Sequence, residues 1–149
     1  MIVRETKDVS EIKAILCSPI IYDTISDDNS GPIDEFEPEL LEHSYIAGYV
    51  DGEIIGLMVY HQHEEQNLCH VQVLKTHRAK HARKFGEASL VFKPDGPLYA
   101  IIPSCYENVL SFADMFNFRP IDKRQGTYIK GGIAYDDIIL KHEERSWDS

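Results

Sequence analysis

The sequence predicts a single domain of the α/β (α+β) class, for three reasons. Segments with apolar residues at every third or fourth position alternate with runs rich in β-branched and aromatic residues, which indicates helices among strands. The 149 residues match one domain of ordinary size. No linker or internal repeat divides them, so we expect one folded unit over residues 1–149.

The start of the chain predicts a strand followed by a helix. Residues 2–5 can form the opening strand. Asp8 or Ser10 can cap the next helix, because short polar side chains accept hydrogen bonds from the first helical amides. The apolar face of this helix carries Ile12, Ile15 and Leu16.

Residues 18–38 predict a flexible loop with at most short helical pieces. Turn-forming and charged residues are dense there, and a loop of this length often acts as a lid or a binding segment. Its carboxylates either attract a cationic amine or only keep the loop solvated. They are Asp27, Asp28, Asp34, Glu35, Glu37 and Glu39.

Three strands are predicted next. Residues 45–50 and 54–60 form a hairpin, because Asp-Gly between two β-rich runs is a strong hairpin signal. Residues 68–74 form the third strand, whose side chains alternate between two faces. One face carries Leu68, His70, Gln72 and Leu74, and the other carries Cys69, Val71 and Val73.

The next part of the chain predicts a helix, a strand and a second helix. Residues 76–92 have the periodicity of a helix that packs one stripe on a sheet. Residues 98–102 read as a compact buried strand, and the second helix begins at Ser104 or Glu107.

Two strands and a tail complete the prediction. Residues 118–121 and 133–140 supply the strands, with Gly126 and Gly131-Gly132 in their connection. Residues 142–149 are expected to form a frayed tail.

Composition restricts the classes of function. The net charge of −10 argues against general nucleic-acid binding, which depends on phosphate neutralisation by cations. No apolar run approaches the roughly 20 residues that cross a bilayer, and no signal peptide opens the chain, so we expect a cytoplasmic protein without membrane contact. Three widely spaced cysteines predict buried apolar residues rather than a disulfide framework.

A basic cluster stands out against the acidic background. Five of the fifteen Lys and Arg residues fall within ten positions, and no carboxylate interrupts them. The basic cluster consists of Lys75, Arg78, Lys80, Arg83 and Lys84, together with His77 and His81. Cations at a helix start attract anions, so the cluster predicts a phosphate site. The alternatives are a solvated helix face and a nucleic-acid contact.

The order of elements resembles the GNAT N-acetyltransferase superfamily over nearly the whole chain. The likeness rests on a hairpin, a third strand, a basic turn into a long helix, another strand, and a helix before a last hairpin. The resemblance implies a central mixed, mostly antiparallel twisted sheet of about six or seven strands, flanked by helices and splayed between the fourth and fifth strands. It also implies acetyl-CoA as cosubstrate.

The resemblance extends in part to the segment that would hold acetyl-CoA. In that superfamily, a Gln/Arg-x-x-Gly-x-Gly/Ala loop presents backbone amides to the pyrophosphate at a helix N-terminus. Arg78 matches the first position, whereas His81 and Arg83 occupy the two glycine positions. The resemblance implies cofactor-binding roles for Val73, Leu74, Lys75, Arg78, Lys80, His81, Ala82, Arg83 and Lys84. The amides of Val73 and Leu74 would serve the pantetheine and the oxyanion.

Two candidate catalytic residues follow. His70 is the candidate general base, because it shares a strand face with Gln72 and an imidazole titrates near neutral pH; the alternative is a half-buried histidine on a sheet face. The superfamily's acidic Tyr is replaced by Ala113, so Tyr106 is the candidate acid. His61 and His63 share a face of the preceding strand near His70, but without CxxC or HExxH we expect no metal.

Two functions remain open on this sequence. The first is transfer of an acetyl group from acetyl-CoA to an amine, on a small-molecule or protein acceptor that the sequence does not name. The run from His70 to Arg78 also resembles GNAT-like proteins of tailed bacteriophages, some of them head-assembly proteins. The second function is therefore a catalytically degenerate protein that binds a phage or host protein in the host cytoplasm. A homodimer is open in either case.

Overall fold

The computed structural model describes residues 1–144 as one seven-stranded sheet with helices on both faces. The strands are β1 (Ile2–Thr6), β2 (His43–Val50), β3 (Glu53–His63), β4 (Gln66–Val73), β5 (Leu98–Pro103), β6 (Phe118–Lys130) and β7 (Ile133–His142). The helices are α1 (Val9–Leu16), α2 (Pro19–Ile25), α3 (Lys75–Leu90) and α4 (Glu107–Met115), with a 3-10 helix at Ile33–Glu35. The elements follow the predicted order.

The sheet has the order β1-β2-β3-β4-β5-β7-β6 and splays at its centre. Every neighbouring pair is antiparallel except β4 and β5, which run parallel. These two strands pair only at Asn67 with Leu98 and at Leu68 with Tyr99, and then separate. The predicted mixed, mostly antiparallel sheet, splayed between its fourth and fifth strands, is confirmed.

Helices α1 and α2 cover one face of β2 and β3. Asp8 caps α1 by accepting a hydrogen bond from the amide of Glu11, as predicted. Ile12, Ile15 and Leu16 of α1 and Ile21 of α2 are almost fully buried against this face of the sheet. This part of the core contains Ile12, Ile15, Leu16, Ile21, Tyr45, Ala47, Tyr49, Leu57 and Val59.

Helices α3 and α4 cover the opposite face. Phe85 of α3 lies over Gly48 and Gly56, where a Cβ on Gly48 would come within 2.5 Å of the ring. A Cβ on Gly86 would come within 2.4 Å of Phe116, so two helices approach closely there. Glycine is therefore required by packing at these positions. Cys69, Val71 and Val73 of β4 contribute to this part of the core, as the predicted alternation requires.

The last hairpin differs from the prediction. Strand β6 continues to Lys130, so Gly126 lies within the strand at an irregularity between Arg124 and Tyr128 rather than in the connection. Its amide donates to the Asp136 carboxylate, which stabilises the local departure from regular pairing. The turn itself is formed by Gly131 and Gly132, both with positive φ.

The chain end and two cysteines also differ from expectation. His142 belongs to β7, and the amide of Glu143 donates to the carbonyl of Asn117. Residues 145–149 of the predicted tail lie outside the described residues.

All three cysteines are free thiols, but only Cys69 is buried, whereas Cys17 and Cys105 are half-buried. Within residues 1–144, no helix is long and apolar enough to cross a membrane.

Residues 18–38 contain only short helical pieces, α2 and the 3-10 helix, as predicted, and the flexibility of the segment stays a prediction. The Tyr22 hydroxyl donates to the carbonyl of Gly31. Phe36 packs against the part of the core that contains the apolar residues of α1. Lys130 of the last hairpin donates to the carbonyl of Asp23 at 2.6 Å, near the C-terminus of α2. These contacts place the segment across the splayed end of the sheet.

Candidate functional site

A cavity of about 380 Å³ lies where β4 and β5 separate. Its lining includes Thr24 and Ile25 of α2 on one side, and Phe112 of α4 and Phe116 at the end of α4 on the other. Because these helices lie on opposite faces of the sheet, the cavity passes through the sheet at the gap. Its walls are mostly apolar, with polar side chains concentrated on the α2 side.

The edge of β4 turns unpaired backbone groups toward this gap. The amide of Leu74 donates to the carbonyl of Ile55 at 2.8 Å, which makes Gly56 and Val73 a non-hydrogen-bonded pair. Antiparallel pairing alternates, so the amides of Val73 and Val71 point away from β3 and toward β5. Strand β5 does not pair with them. Val73 can therefore donate into the gap. The Leu74 amide is occupied by Ile55, so the donor role predicted for it requires that bond to break and stays a prediction.

Helix α3 begins earlier than the motif predicts. Its first residue is Lys75, so the amides of Lys75 and Thr76 lack helical partners, and that of His77 already bonds to the carbonyl of Leu74. From position 79 onward the amides lie inside the helix. Backbone contacts of phosphate with Lys80, His81, Ala82, Arg83 and Lys84 are thereby excluded in this conformation. The physical reason is composition: Ala79, His81 and Arg83 favour helix more than glycine does.

Side chains keep the start of α3 electropositive. Arg78 donates from Nε to the carbonyl of Val73 at 2.9 Å, so its guanidinium lies at the rim of the gap. Arg83 pairs with Glu87 at 3.5 Å, whereas Lys80 is exposed. Partial desolvation, followed by the charges of Lys80 and other cationic neighbours, lowers the pKa of His81. The predicted basic cluster therefore lies on the first turns of α3 and is distributed around the helix.

His70 lines the cavity with a buried nitrogen that has no partner. Among residues 1–144 its Nδ1 is the one buried side-chain polar atom without a hydrogen bond. Burial, with smaller contributions from His61 and His43, lowers the pKa of His70 to about 4. The imidazole is therefore neutral at pH 7, and one of its two ring nitrogens is a hydrogen-bond acceptor. Its role as a base stays a prediction.

The proton of Tyr106 is committed to another tyrosine. The Tyr128 hydroxyl donates to the carbonyl of Ser26 at 2.6 Å and lies 2.7 Å from the Tyr106 hydroxyl, so Tyr106 must be the donor of the second bond. Burial, followed by the bond with Tyr106, raises the pKa of Tyr128. Tyr106 lines the cavity, but it can act as an acid only if this bond is broken.

The carboxylates predicted in and beside the loop of residues 18–38 make different contacts. Asp27 lines the cavity, whereas Asp28 accepts from the amides of Gly131 and Gly132 at 2.8 Å each. Glu37 pairs with Lys13, and Glu39 accepts from the amides of residues 41–43. Of the loop carboxylates, only Asp27 is thus placed to meet a substrate in the cavity.

The three-histidine metal hypothesis finds no support in the geometry. The His61 and His70 rings lie 6.5 Å apart, and exposed His63 lies 3.6 Å from Glu64. Within residues 1–144, no three His, Cys, Asp or Glu side chains are close enough to hold a metal ion.

Sequence reasoning missed several polar residues of the cavity, among them Tyr128 and Asp137. Tyr128 and Asp137 both line it, from β6 and β7. Asp137 pairs with Pro103 across β5 and β7, which brings it to the gap. Alternation along β7 could have predicted its face, but the pairing of β7 with β5 was not visible in the local sequence.

Known structures share this architecture at low identity. A Staphylococcus aureus Mu50 N-acetyltransferase is 17% identical, with 95% of this chain and 97% of that chain covered and a TM-score of 0.75. Smu.2055 from Streptococcus mutans UA159 is 14% identical, with coverages of 96% and 99% and a TM-score of 0.75. A GNAT superfamily phosphinothricin acetyltransferase from Sinorhizobium meliloti, in complex with acetyl-CoA, is 14% identical, with coverages of 95% and 86% and a TM-score of 0.69.

These likenesses show that the chain has the GNAT fold. No protein-family model matches the chain, and no curated protein matches its sequence.

Proposed function

We propose that the protein transfers an acetyl group from acetyl-CoA to an amine. The observation that carries the proposal is the gap between β4 and β5, where a cavity crosses the sheet beside the unpaired amides of Val71 and Val73. The acetyl-CoA bound to the Sinorhizobium meliloti structure of the same fold supports this choice of cosubstrate.

The diphosphate of acetyl-CoA would bind at the start of α3. The amides of Lys75 and Thr76 and the positive end of the helix dipole favour an anion there. Arg78 at the rim of the gap and exposed Lys80 add positive charge. Side chains would thus carry much of the affinity that glycine-rich loops obtain from backbone amides. The pantetheine would follow the free edge of β4 into the cavity.

Acetyl transfer then needs a donor for the thioester oxygen and an acceptor for the amine proton. The amide of Val73 would stabilise the negative charge that develops on the oxygen. The acceptor must react as the neutral amine, so its ammonium first loses a proton to solvent. As nitrogen bonds to the acetyl carbon, its acidity rises, and His70 Nδ1 would accept the second proton. The carbon–sulfur bond breaks, and the thiolate of coenzyme A leaves and takes a proton from water.

Calorimetric titration with acetyl-CoA tests the binding step. We expect saturable heat with the native protein and about tenfold weaker binding after Arg78→Ala plus Lys80→Ala, because two charge contacts with phosphate are lost. Lys7→Ala plus Lys141→Ala is the matched control. It removes the same charge away from the first turns of α3 and should leave affinity unchanged. Absence of heat with the native protein would reject the proposal.

A second candidate function is a GNAT-fold protein that binds a partner protein without catalysing transfer. Two observations favour it: the helical amides at positions 79–83 do not form a phosphate loop, and the Tyr106 proton is committed to Tyr128. The phage head-assembly role belongs to this candidate and stays a prediction from sequence.

Turnover separates the two candidates. Release of coenzyme A thiol that depends on an added amine supports the transferase. For the interaction protein, we expect no release with any amine, together with recovery of one stoichiometric protein partner from native cells. Amine-dependent release that is lost in His70→Gln but retained in His63→Gln would count against the second candidate.

A further inference from the structure

The cavity contains negative charge but no compensating cation. Among residues 1–144, its lining includes two carboxylates, Asp27 and Asp137, and no Lys or Arg. Neither carboxylate forms an ion pair within the described part of the chain. The charged side chains that a ligand meets in this cavity are therefore all negative.

Each of these carboxylates keeps one oxygen available. Asp27 uses Oδ1, which accepts from the amide of Asn29 at 2.9 Å and from the Ser30 hydroxyl at 3.3 Å. Asp137 uses Oδ2, which accepts from the Thr127 hydroxyl at 2.8 Å. The other oxygen of each group makes no hydrogen bond within residues 1–144. The two side chains are thus held in place by local bonds while each can still accept from a ligand.

An independent observation indicates a ligand donor in the same cavity. His70 Nδ1 is buried and unpartnered, and a buried polar atom without a bond carries a free-energy cost. A bound N–H group would remove that cost. The remaining walls are largely apolar and include Ile25, Val71 and Ile101, which suits an aliphatic stem.

We propose that the acceptor is a cationic aliphatic amine that carries no anionic group, and that Asp27 and Asp137 are its specificity-determining residues. This inference rests on the proposed function. The carboxylates attract the ammonium at the α2 side of the cavity, and the stem packs on the apolar wall as the amine reaches His70. Acceptors with a carboxylate, such as free amino acids, are excluded, because like charges repel strongly where the walls are apolar.

Three amines with the same pentamethylene stem test the inference: cadaverine, 6-aminohexanamide and 6-aminohexanoate. With acetyl-CoA present, release of coenzyme A thiol gives kcat/KM for each. We expect cadaverine and the neutral amide to exceed the carboxylate by about tenfold or more, mainly through KM. Asp27→Asn plus Asp137→Asn should bring the amide and the carboxylate to similar values. Asp34→Asn, which changes an exposed carboxylate outside the cavity, should keep the native preference.

The outcomes separate this inference from the proposed function. Turnover of all three amines with equal kcat/KM overturns the inference and leaves the transferase standing. If no amine is turned over, the transferase fails, and calorimetric titration of cadaverine then decides the inference. Binding that weakens in the Asp27→Asn plus Asp137→Asn variant but not in Asp34→Asn supports the amine site, and absence of binding to the native protein overturns it.

Discussion

At the scale of single residues, His70 connects the cavity to the stability of the fold. Its ring is kept neutral by burial, and burial lowers its pKa to about 4. In the unfolded chain a histidine titrates near pH 6.5. Between these values the unfolded state binds a proton that the folded state does not, so stability must fall as the pH falls through this window.

The pH dependence of unfolding measures this effect. For the native protein, His70 should contribute a loss of about 3 kcal/mol in the free energy of unfolding between pH 7 and pH 4. His70→Gln should remove most of that contribution, because glutamine does not titrate. Urea denaturation at both pH values gives the difference. His63→Gln changes an exposed histidine of β3 and should keep the native loss; an equal loss in all three proteins would show that His70 is not buried as neutral imidazole.

At the scale of elements, the start of α3 decides how the chain can bind phosphate. The superfamily motif predicts a glycine-rich loop, but His81 and Arg83 stand at its glycine positions. The helix begins at Lys75, before the whole motif. A phosphate bound there would accordingly contact the first helical amides and side chains.

Restoring the glycines tests where α3 begins. His81→Gly plus Arg83→Gly should lower the free energy of unfolding by about 2 kcal/mol relative to His81→Ala plus Arg83→Ala, since glycine costs about 1 kcal/mol per helical position. The alanine variant removes the same side-chain groups and keeps the helix, so charge is matched. Equal stability of the two variants in urea denaturation would place these positions outside the helix.

The local sequence predicted the helices and strands well, but it did not predict which strands pair with each other. The Asp51-Gly52 hairpin and the two faces of β4 follow from turn chemistry and alternation, which depend on neighbouring residues only. The occupied amide of Leu74 and the position of Asp137 depend on which strand lies alongside, and that is set by the whole sheet. The role of Asp28 was hidden for the same reason, since its partners are more than 100 positions away in sequence.

At the scale of the whole molecule, hydrogen bonds join residues 26–28, which follow α2, to the last hairpin. Asp28 accepts from the amides of Gly131 and Gly132, and the hydroxyl of Tyr128 donates to Ser26. These bonds join the α2 side of the cavity to the last hairpin.

Asp28→Ala should loosen the attachment of this segment to the last hairpin. Amide hydrogen exchange in residues 18–31 should become several-fold faster, because local opening no longer breaks two hydrogen bonds to the hairpin. Exchange in α3, on the opposite face of the sheet, should stay unchanged. Asp34→Ala is the control on the same segment. Unchanged exchange in residues 18–31 of Asp28→Ala would show that the Asp28 bonds do not hold the segment.

In the proposed complex, acetyl-CoA lies along the free edge of β4, in the gap beside β5. Hydrogen exchange of individual backbone amides, measured by NMR with and without saturating acetyl-CoA, tests this placement. We expect slower exchange and shifted resonances at Val71 and Val73, with little change at Leu74, which is already bonded to Ile55. Binding that leaves Val71 and Val73 unaffected would overturn the proposed placement.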